Sequence, residues 1–293
     1  MKRRDFIMLF GGLAAGWPLS LLRPSTVRAQ TLPGAGQQAA GQAVSGQVGQ
    51  VATVEGSATV MRGSGAPIPL QVSDPVFKND TLATAANSTL GVTFDDETTF
   101  SLSPNTRIVV SEYVYQQGGS ANAAVFGVAL GTAAFVASQV AKTGDMKITT
   151  PVATLGIRGT TGVVDVPRGG SEEPRIKLYA DTDGHVGRIE VFDPQGGRLG
   201  SLTQGASAFA LRAGPGGRFT AVPFQIPPSE AARDRGVLQQ LFASHTIGRR
   251  MTIQRMRSRG FNRGRGGPGR QPSNRNPRGG PPRGTNANGR QRR

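Results

Sequence analysis

The 293-residue chain contains 42 Gly, 20 Pro, two His and no Cys, and its formal net charge is +16. The lack of Cys excludes disulfides, thiolate zinc sites, iron–sulfur clusters and thiol nucleophiles, and leaves the redox compartment open. Residues 1–29 carry 5 basic and 1 acidic side chain, residues 30–248 carry 15 and 17, and residues 249–293 carry 14 Arg with no acid. The body of the chain is therefore near neutral, and its high isoelectric point is no argument that a folded domain binds nucleic acid.

The first 29 residues open with Lys2, Arg3 and Arg4, continue with an apolar run from Ile7 to Leu22, and close on Val27-Arg28-Ala29. Charged, apolar and then small is the order of a secretory signal. Arg3-Arg4-x-Phe6 is similar to a twin-arginine export signal, with cleavage expected after Ala29. The apolar run falls short of the roughly 20 residues that cross a bilayer comfortably. An uncleaved anchor is the alternative. The expected location is the periplasm, with extracellular or envelope-associated placement as variants of it.

Residues 30–47 are a Gln/Ala/Gly linker expected to be disordered. From Val48 the pattern becomes β. Ala52, Val54, Ala58 and Val60 share one parity, which predicts a half-buried strand pair turning near Glu55-Gly56. Leu90, Val92 and Phe94 alternate with polar or small residues, and Thr98, Phe100 and Leu102 resume after Asp95-Asp96-Glu97, which predicts a hairpin. Residues 108–115 form a β-branched and aromatic run. Residues 121–142 are rich in Ala and Val and read as strand, because Val125, Phe126, Val128, Phe135, Val136 and Val140 favour it and Gly131-Thr132 would break a helix. After Gly170 short strands return around Ile176–Tyr179, Arg188–Phe192 and Ala208–Leu211, separated by Asp183-Gly184 and Asp193–Gly197 turns. Strands at intervals of about ten residues predict an all-β domain, either a β-sandwich of jelly-roll type or a small β-solenoid. A short helix is expected over 229–257, with Ser229 as N-cap and an apolar stripe of Val237, Leu238, Leu241, Phe242 and His245. Residues 258–293, rich in Arg, Gly, Pro and Asn, cannot bury a core and are expected to be disordered.

Few groups suggest chemistry. His185 sits beside the Asp183-Gly184 turn and His245 on the helix, and neither has a nucleophile or metal partner at a telling spacing. Asp95-Asp96-Glu97 and Asp181-x-Asp183-Gly184 offer oxygen ligands for calcium, but the second lacks the full EF-hand spacing, and solvated turn acids are the favoured reading. No catalytic residue, metal or cofactor is assigned. The Arg-Gly tail would suggest RNA binding in a cytoplasmic protein. In an exported one the available anions are lipid headgroups, lipid A phosphates and acidic polymers, so no nucleic acid partner is expected.

The segment Ile148 to Val166 reads I-T-T-P-V-A-T-L-G-I-R-G-T-T-G-V-V-D-V. Pro151 marks a strand entrance or edge, and Gly156 and Gly159 suit a bend or a close backbone approach. Arg158 would pin that loop by binding carbonyls or a carboxylate, with Asp165 a candidate, or would contact a partner. The pattern, with Pro151, Gly156, Arg158, Gly159 and Thr160, resembles the signature of the FecR domain family. Lys78–Thr84 resembles that family's G-D-x-L-x-T element with Asn79 in place of Gly, and Thr93–Phe100 resembles its F-x-D-G-S hairpin. The resemblance covers 48–166, with 167–225 expected to continue the β architecture. It implies a bacterial cell-envelope binding and signalling module, not an enzyme, whose partner would be a periplasmic or outer-membrane protein. Iron-signalling relatives carry a cytoplasmic anti-sigma segment and a membrane span before this domain. Here a signal-like segment stands in that place, so no sigma factor is expected to be held by that route. The alternative is a structural envelope protein whose domain binds glycan or peptidoglycan and whose tail meets anionic surfaces.

Overall fold

The computed structural model describes residues 46–169 and 172–265. The expected signal, most of the linker and the Arg/Gly tail past 265 lie outside the described residues. In chain order the elements are β1 (Gln47–Glu55), β2 (Ala58–Arg62), β3 (Ile68–Pro69), β4 (Pro75–Phe77), β5 (Asp80–Thr84), β6 (Thr89–Phe94), β7 (Thr99–Leu102), β8 (Arg107–Val114), β9 (Ala123–Val136), α1 (Gln139–Thr143) and β10 (Asp145–Thr149). There follow β11 (Thr154–Arg158), β12 (Thr161–Val166), β13 (Arg175–Tyr179), β14 (Arg188–Phe192), β15 (Arg198–Leu202), β16 (Ser207–Ala213), β17 (Phe219–Phe224) and α2 (Pro228–Arg265).

Two sheets share one long strand. Sheet A runs β4-β1-β6-β7-β9-β12-β13-β16-β17, and every pairing in it is antiparallel. Sheet B runs β3-β2-β5-β8-β9-β10-β11-β14-β15, with one parallel pair, β9 with β10. The dominance of antiparallel hairpins decides between the two expected architectures in favour of a sandwich, since a solenoid of stacked coils is built from parallel neighbours. The first part of β9 lies in sheet B and the part from Gly131 onward in sheet A. Gly131 makes this turn possible: its φ is +87°, and a side chain there would strike Thr106. The Ala/Val-rich segment is thus one 14-residue strand, after which the chain makes the single-turn α1.

Between the sheets lies one apolar core. Phe94 and Phe100 of sheet A close on Phe126 of sheet B, with ring centroids 4.8 and 4.7 Å from it, and Phe135 packs against Phe100 at 5.9 Å. Four fully buried rings in one place let a chain with few aromatics fill its centre. The 90–102 hairpin forms in the expected register, Leu90 opposite Leu102 and Val92 opposite Phe100. The expected pairing across Glu55-Gly56 does not form. The chain turns at Gly56, φ +72°, but β1 continues in sheet A and β2 in sheet B, so the turn is a corner of the sandwich.

Helix α2 is 38 residues long rather than short, and it continues past residue 257 into the stretch expected to be disordered. Pro228 occupies the first helical position, where its missing N–H costs nothing, so Ser229 lies inside the first turn instead of capping it. The helix lies across the outer face of sheet A, against β1, β6, β7 and β9.

Candidate functional site

The motif turns the chain from one sheet to the other. Its first half is β11 in sheet B, its second half is β12 in sheet A, and Gly159, φ +49°, makes the corner. Thr160 is fully buried there: its hydroxyl donates to the Tyr179 carbonyl at 3.3 Å and accepts from the Gly187 amide at 3.2 Å. Gly187 must itself be glycine, because a Cβ would run into the carbonyl oxygens of Arg158 and Gly159. Gly156 is different. It sits mid-strand opposite Lys147 and Glu190, with ordinary contact distances around a notional Cβ, so neither bend nor close approach requires it. Pro151 lies exposed in the turn between β10 and β11, where the Thr150 hydroxyl and amide gather the chain around Ala153.

Arg158 does not pair with Asp165. Its Nη1 donates to the Gly144 carbonyl at 2.7 Å and its other nitrogen is 3.9 Å from Asp145. The reason is strand parity across the corner: Arg158 faces outward from sheet B, whereas Asp165 faces outward from sheet A. Around Arg158 the outer face of sheet B carries Asp145, Lys147, Arg188 and Glu190, joined by Lys147–Asp145 at 2.7 Å and Arg188–Glu190 at 3.8 Å. These are exposed or half-exposed side chains in adjacent strands, with Gly156 and the half-buried Phe192 between them. The arrangement is a charged strip of both signs that could recognise a partner surface.

The outer face of sheet A has the opposite fate. Lys177 on β13 is buried with its ammonium 2.7 Å from Asp165, 2.7 Å from Glu230 and 2.9 Å from Asp234. Arg175 also holds Glu230, at 2.7 Å, and the Tyr179 hydroxyl donates to Asp234 at 2.5 Å. Burial alone would lower the Lys177 pKa, but the three carboxylates outweigh it and the net shift is upward. Burial would raise Glu230, yet Lys177 and Arg175 carry it below the ordinary carboxylate range. Burial pushes the Tyr179 phenol up, and Asp234 adds to it. Lys177 fills the place a cation would need among these acids, and among the described residues no three metal-ligating side chains form a metal site.

Further along, the same seam is narrow and polar. Thr53 and Ser244 hydroxyls meet at 2.7 Å, and Thr99 meets His245 Nδ1 at 3.0 Å. A Cβ on Gly91 would strike Ser244 and Thr53, and one on Gly248 would strike Thr93, so both glycines allow the close approach of helix and sheet. The helix therefore docks through Glu230, Asp234, Leu241, Ser244, Gly248 and Thr252. Only Leu241 among these belongs to the expected apolar stripe; Val237 and Leu238 are half-buried beside it. Polar residues replace the rest because this face of sheet A is itself polar, with Gln50, Thr53 and Lys177 on it, and each buried hydroxyl or carboxylate of the helix finds a partner there.

The acidic turn is also not solvated. Asp96 is buried, accepts from the Thr98 amide and hydroxyl, the Tyr113 hydroxyl and the Val140 amide, and so ties the hairpin to α1. Asp95 pairs with Arg255, and Glu97 with Arg249 at 3.1 Å, which pins the far end of α2. Asp181 accepts from Thr161 at 2.5 Å, and burial raises its pKa; Asp183 and His185 remain on the exposed turn. His245 is drawn below the ordinary histidine value by burial under the helix, and its Thr99 partner is closed to solvent. The Lys177 cluster is not legible in the sequence because the three carboxylates lie 12, 53 and 57 positions from the lysine. A lysine in the middle of a strand, Ile176-Lys177-Leu178, was the available signal.

Residues 80–180 match the family model described as "FecR protein". No curated protein matches the chain. Two crystal structures of a candidate anti-sigma factor from Parabacteroides distasonis align with 13% identity and a TM-score of 0.36. The alignment covers 50% of this chain and 60% of each of those chains, so this chain spans less than two thirds of their length. The family match runs from β5 into the end of β13 and contains Arg158, Asp165, Lys177 and Tyr179, whereas β14 to β17 and α2 lie beyond it. The sandwich described above thus contains, at residues 80–180, a segment that matches the FecR family model.

Proposed function

We propose that this protein is a non-catalytic, periplasmic module of the cell envelope that passes on a signal by binding another protein through the outer face of sheet B. The observation that carries the reading is the FecR family match over residues 80–180. That segment has two outward faces. Helix α2 covers the one on sheet A, and the charged strip around Arg158 leaves the other exposed. Mixed charges on a flat strand surface favour orientation and partner choice more than bulk affinity.

Photo-crosslinking in cells tests this directly. A photoreactive residue at Lys147 or Glu112, both exposed on sheet B, is expected to capture an envelope protein. Capture should fall with Arg158→Glu while the melting temperature of that variant stays within a few degrees of the parent. Absence of any protein crosslink at these positions, together with retention of the chain on isolated peptidoglycan, would instead establish a glycan-binding structural role.

A further inference from the structure

Both acids of α2, Glu230 and Asp234, turn inward to Lys177 and Arg175. The side of the helix facing away from sheet A consequently holds no carboxylate among the described residues. Arg235, Arg250 and Arg257 stand exposed on it, spread over about 33 Å of helix. Arg249 is exposed too but shared with Glu97, and Arg255 is turned in to Asp95. Between these arginines Ile247, Ile253 and Met256 are 40%, 37% and 40% exposed, so three of the six large apolar side chains exposed among the described residues are grouped on this one helix. In sequence the same strand of charge continues, since residues 249–293 contain 14 Arg and no acid.

We propose that the outward face of α2 is a docking surface for an anionic phospholipid membrane, with the helix lying parallel to it. The arginines meet headgroup phosphates, and Ile247 and Ile253 enter the boundary between headgroups and acyl chains. Charge complementarity selects an anion, and the two isoleucines select a lipid surface over a soluble polyanion, because only the lipid offers them an apolar phase. The helix is not apolar enough to cross a membrane, so lying on one is the geometry open to it. The pairs of Glu230 and Asp234 with Lys177 at one end, and of Ser244 with Thr53 and Arg249 with Glu97 further along, hold the helix on sheet A, which presents all five positions together at little further ordering cost. This surface is distinct from the strip on sheet B, and either can stand without the other.

Sedimentation of the full chain with phosphatidylcholine vesicles, with and without phosphatidylglycerol, tests the proposal. Binding should require phosphatidylglycerol and weaken with salt. The variant Arg235→Gln, Arg250→Gln, Arg257→Gln, with the tail intact, should bind roughly a hundredfold more weakly. The variant Ile247→Ser, Ile253→Ser, with every charge kept, should lose roughly tenfold or more. All five positions are exposed, so both variants should keep the parent melting temperature. Parent-like binding by the arginine variant would assign the effect to the tail and overturn the proposal. So would an isoleucine variant that binds normally, or a chain that binds RNA or polyphosphate but not these vesicles.

Discussion

Replacing Lys177 with Met keeps most of the buried volume and removes the ammonium from among Asp165, Glu230 and Asp234. The nitrogen lies 2.7 to 2.9 Å from all three, and Glu230 and Asp234 expose only 5% and 6% of their side chains. Arg175 still neutralises Glu230, and Tyr179 still donates to Asp234, so the loss falls mainly on Asp234 and on repulsion within the cluster. Removing one partner from a buried ion pair typically costs about 3–5 kcal/mol. For a domain of this size that corresponds to a drop of roughly 10 °C in melting temperature. Because Glu230 titrates below the ordinary carboxylate value in the folded protein, its contribution is complete above about pH 4.5 and is lost as pH falls through the folded pKa. Lys177→Met should raise that pKa and move acid unfolding to higher pH. Urea titrations across pH, with amide exchange along 228–257, measure both effects. Adding Asp234→Leu to Lys177→Met should recover much of the loss, since it removes the most buried unpaired carboxylate and leaves Glu230 with Arg175 and the part-exposed Asp165 with the Thr132 hydroxyl. A single Lys177→Met variant within about 1 kcal/mol of the parent would refute the ionic account of helix docking.

Two further changes probe the same seam. Gly248→Val places a branched side chain where Thr93 already stands, and it should destabilise by about 1–3 kcal/mol and raise amide exchange in α2 ahead of the sandwich; equal exchange in parent and variant would contradict the close approach. His245 has a folded pKa below its unfolded value of about 6.5, because burial against sheet A outweighs the pull of Glu97 and Asp181 and Arg249 adds to the lowering. The unfolded chain therefore binds more protons, and stability should fall as pH drops below that value. In His245→Gln the slope of stability against pH between about 6.5 and 5 should flatten, which equilibrium urea unfolding will read.

The contrast between Arg158 and Lys177 shows what a local pattern can carry. Arg158 announces itself through two flanking glycines, and its neighbourhood was legible as a corner. Its partner was not, because strand parity sends Arg158 and Asp165 to the outer faces of different sheets. The buried role of Asp96 was hidden for a related reason. Three adjacent acids read as a wet turn, and only the arrival of Tyr113 and α1 turns one of them into an acceptor for four donors.

The residue order by itself determined the all-β class, the 90–102 hairpin, the resemblance to the FecR family and a helix following the last strand. These depend on period-two alternation, turn chemistry and short motifs, all of which act between near neighbours. Only the tertiary structure decided that β9 belongs to two sheets, that α2 roofs sheet A through a polar seam, and that its acids face inward while its arginines face out. Those outcomes depend on pairing energies between groups tens to hundreds of positions apart, Gln50 with Thr252 or Lys177 with Asp234, and no local pattern encodes which of many charged and hydroxyl groups will meet.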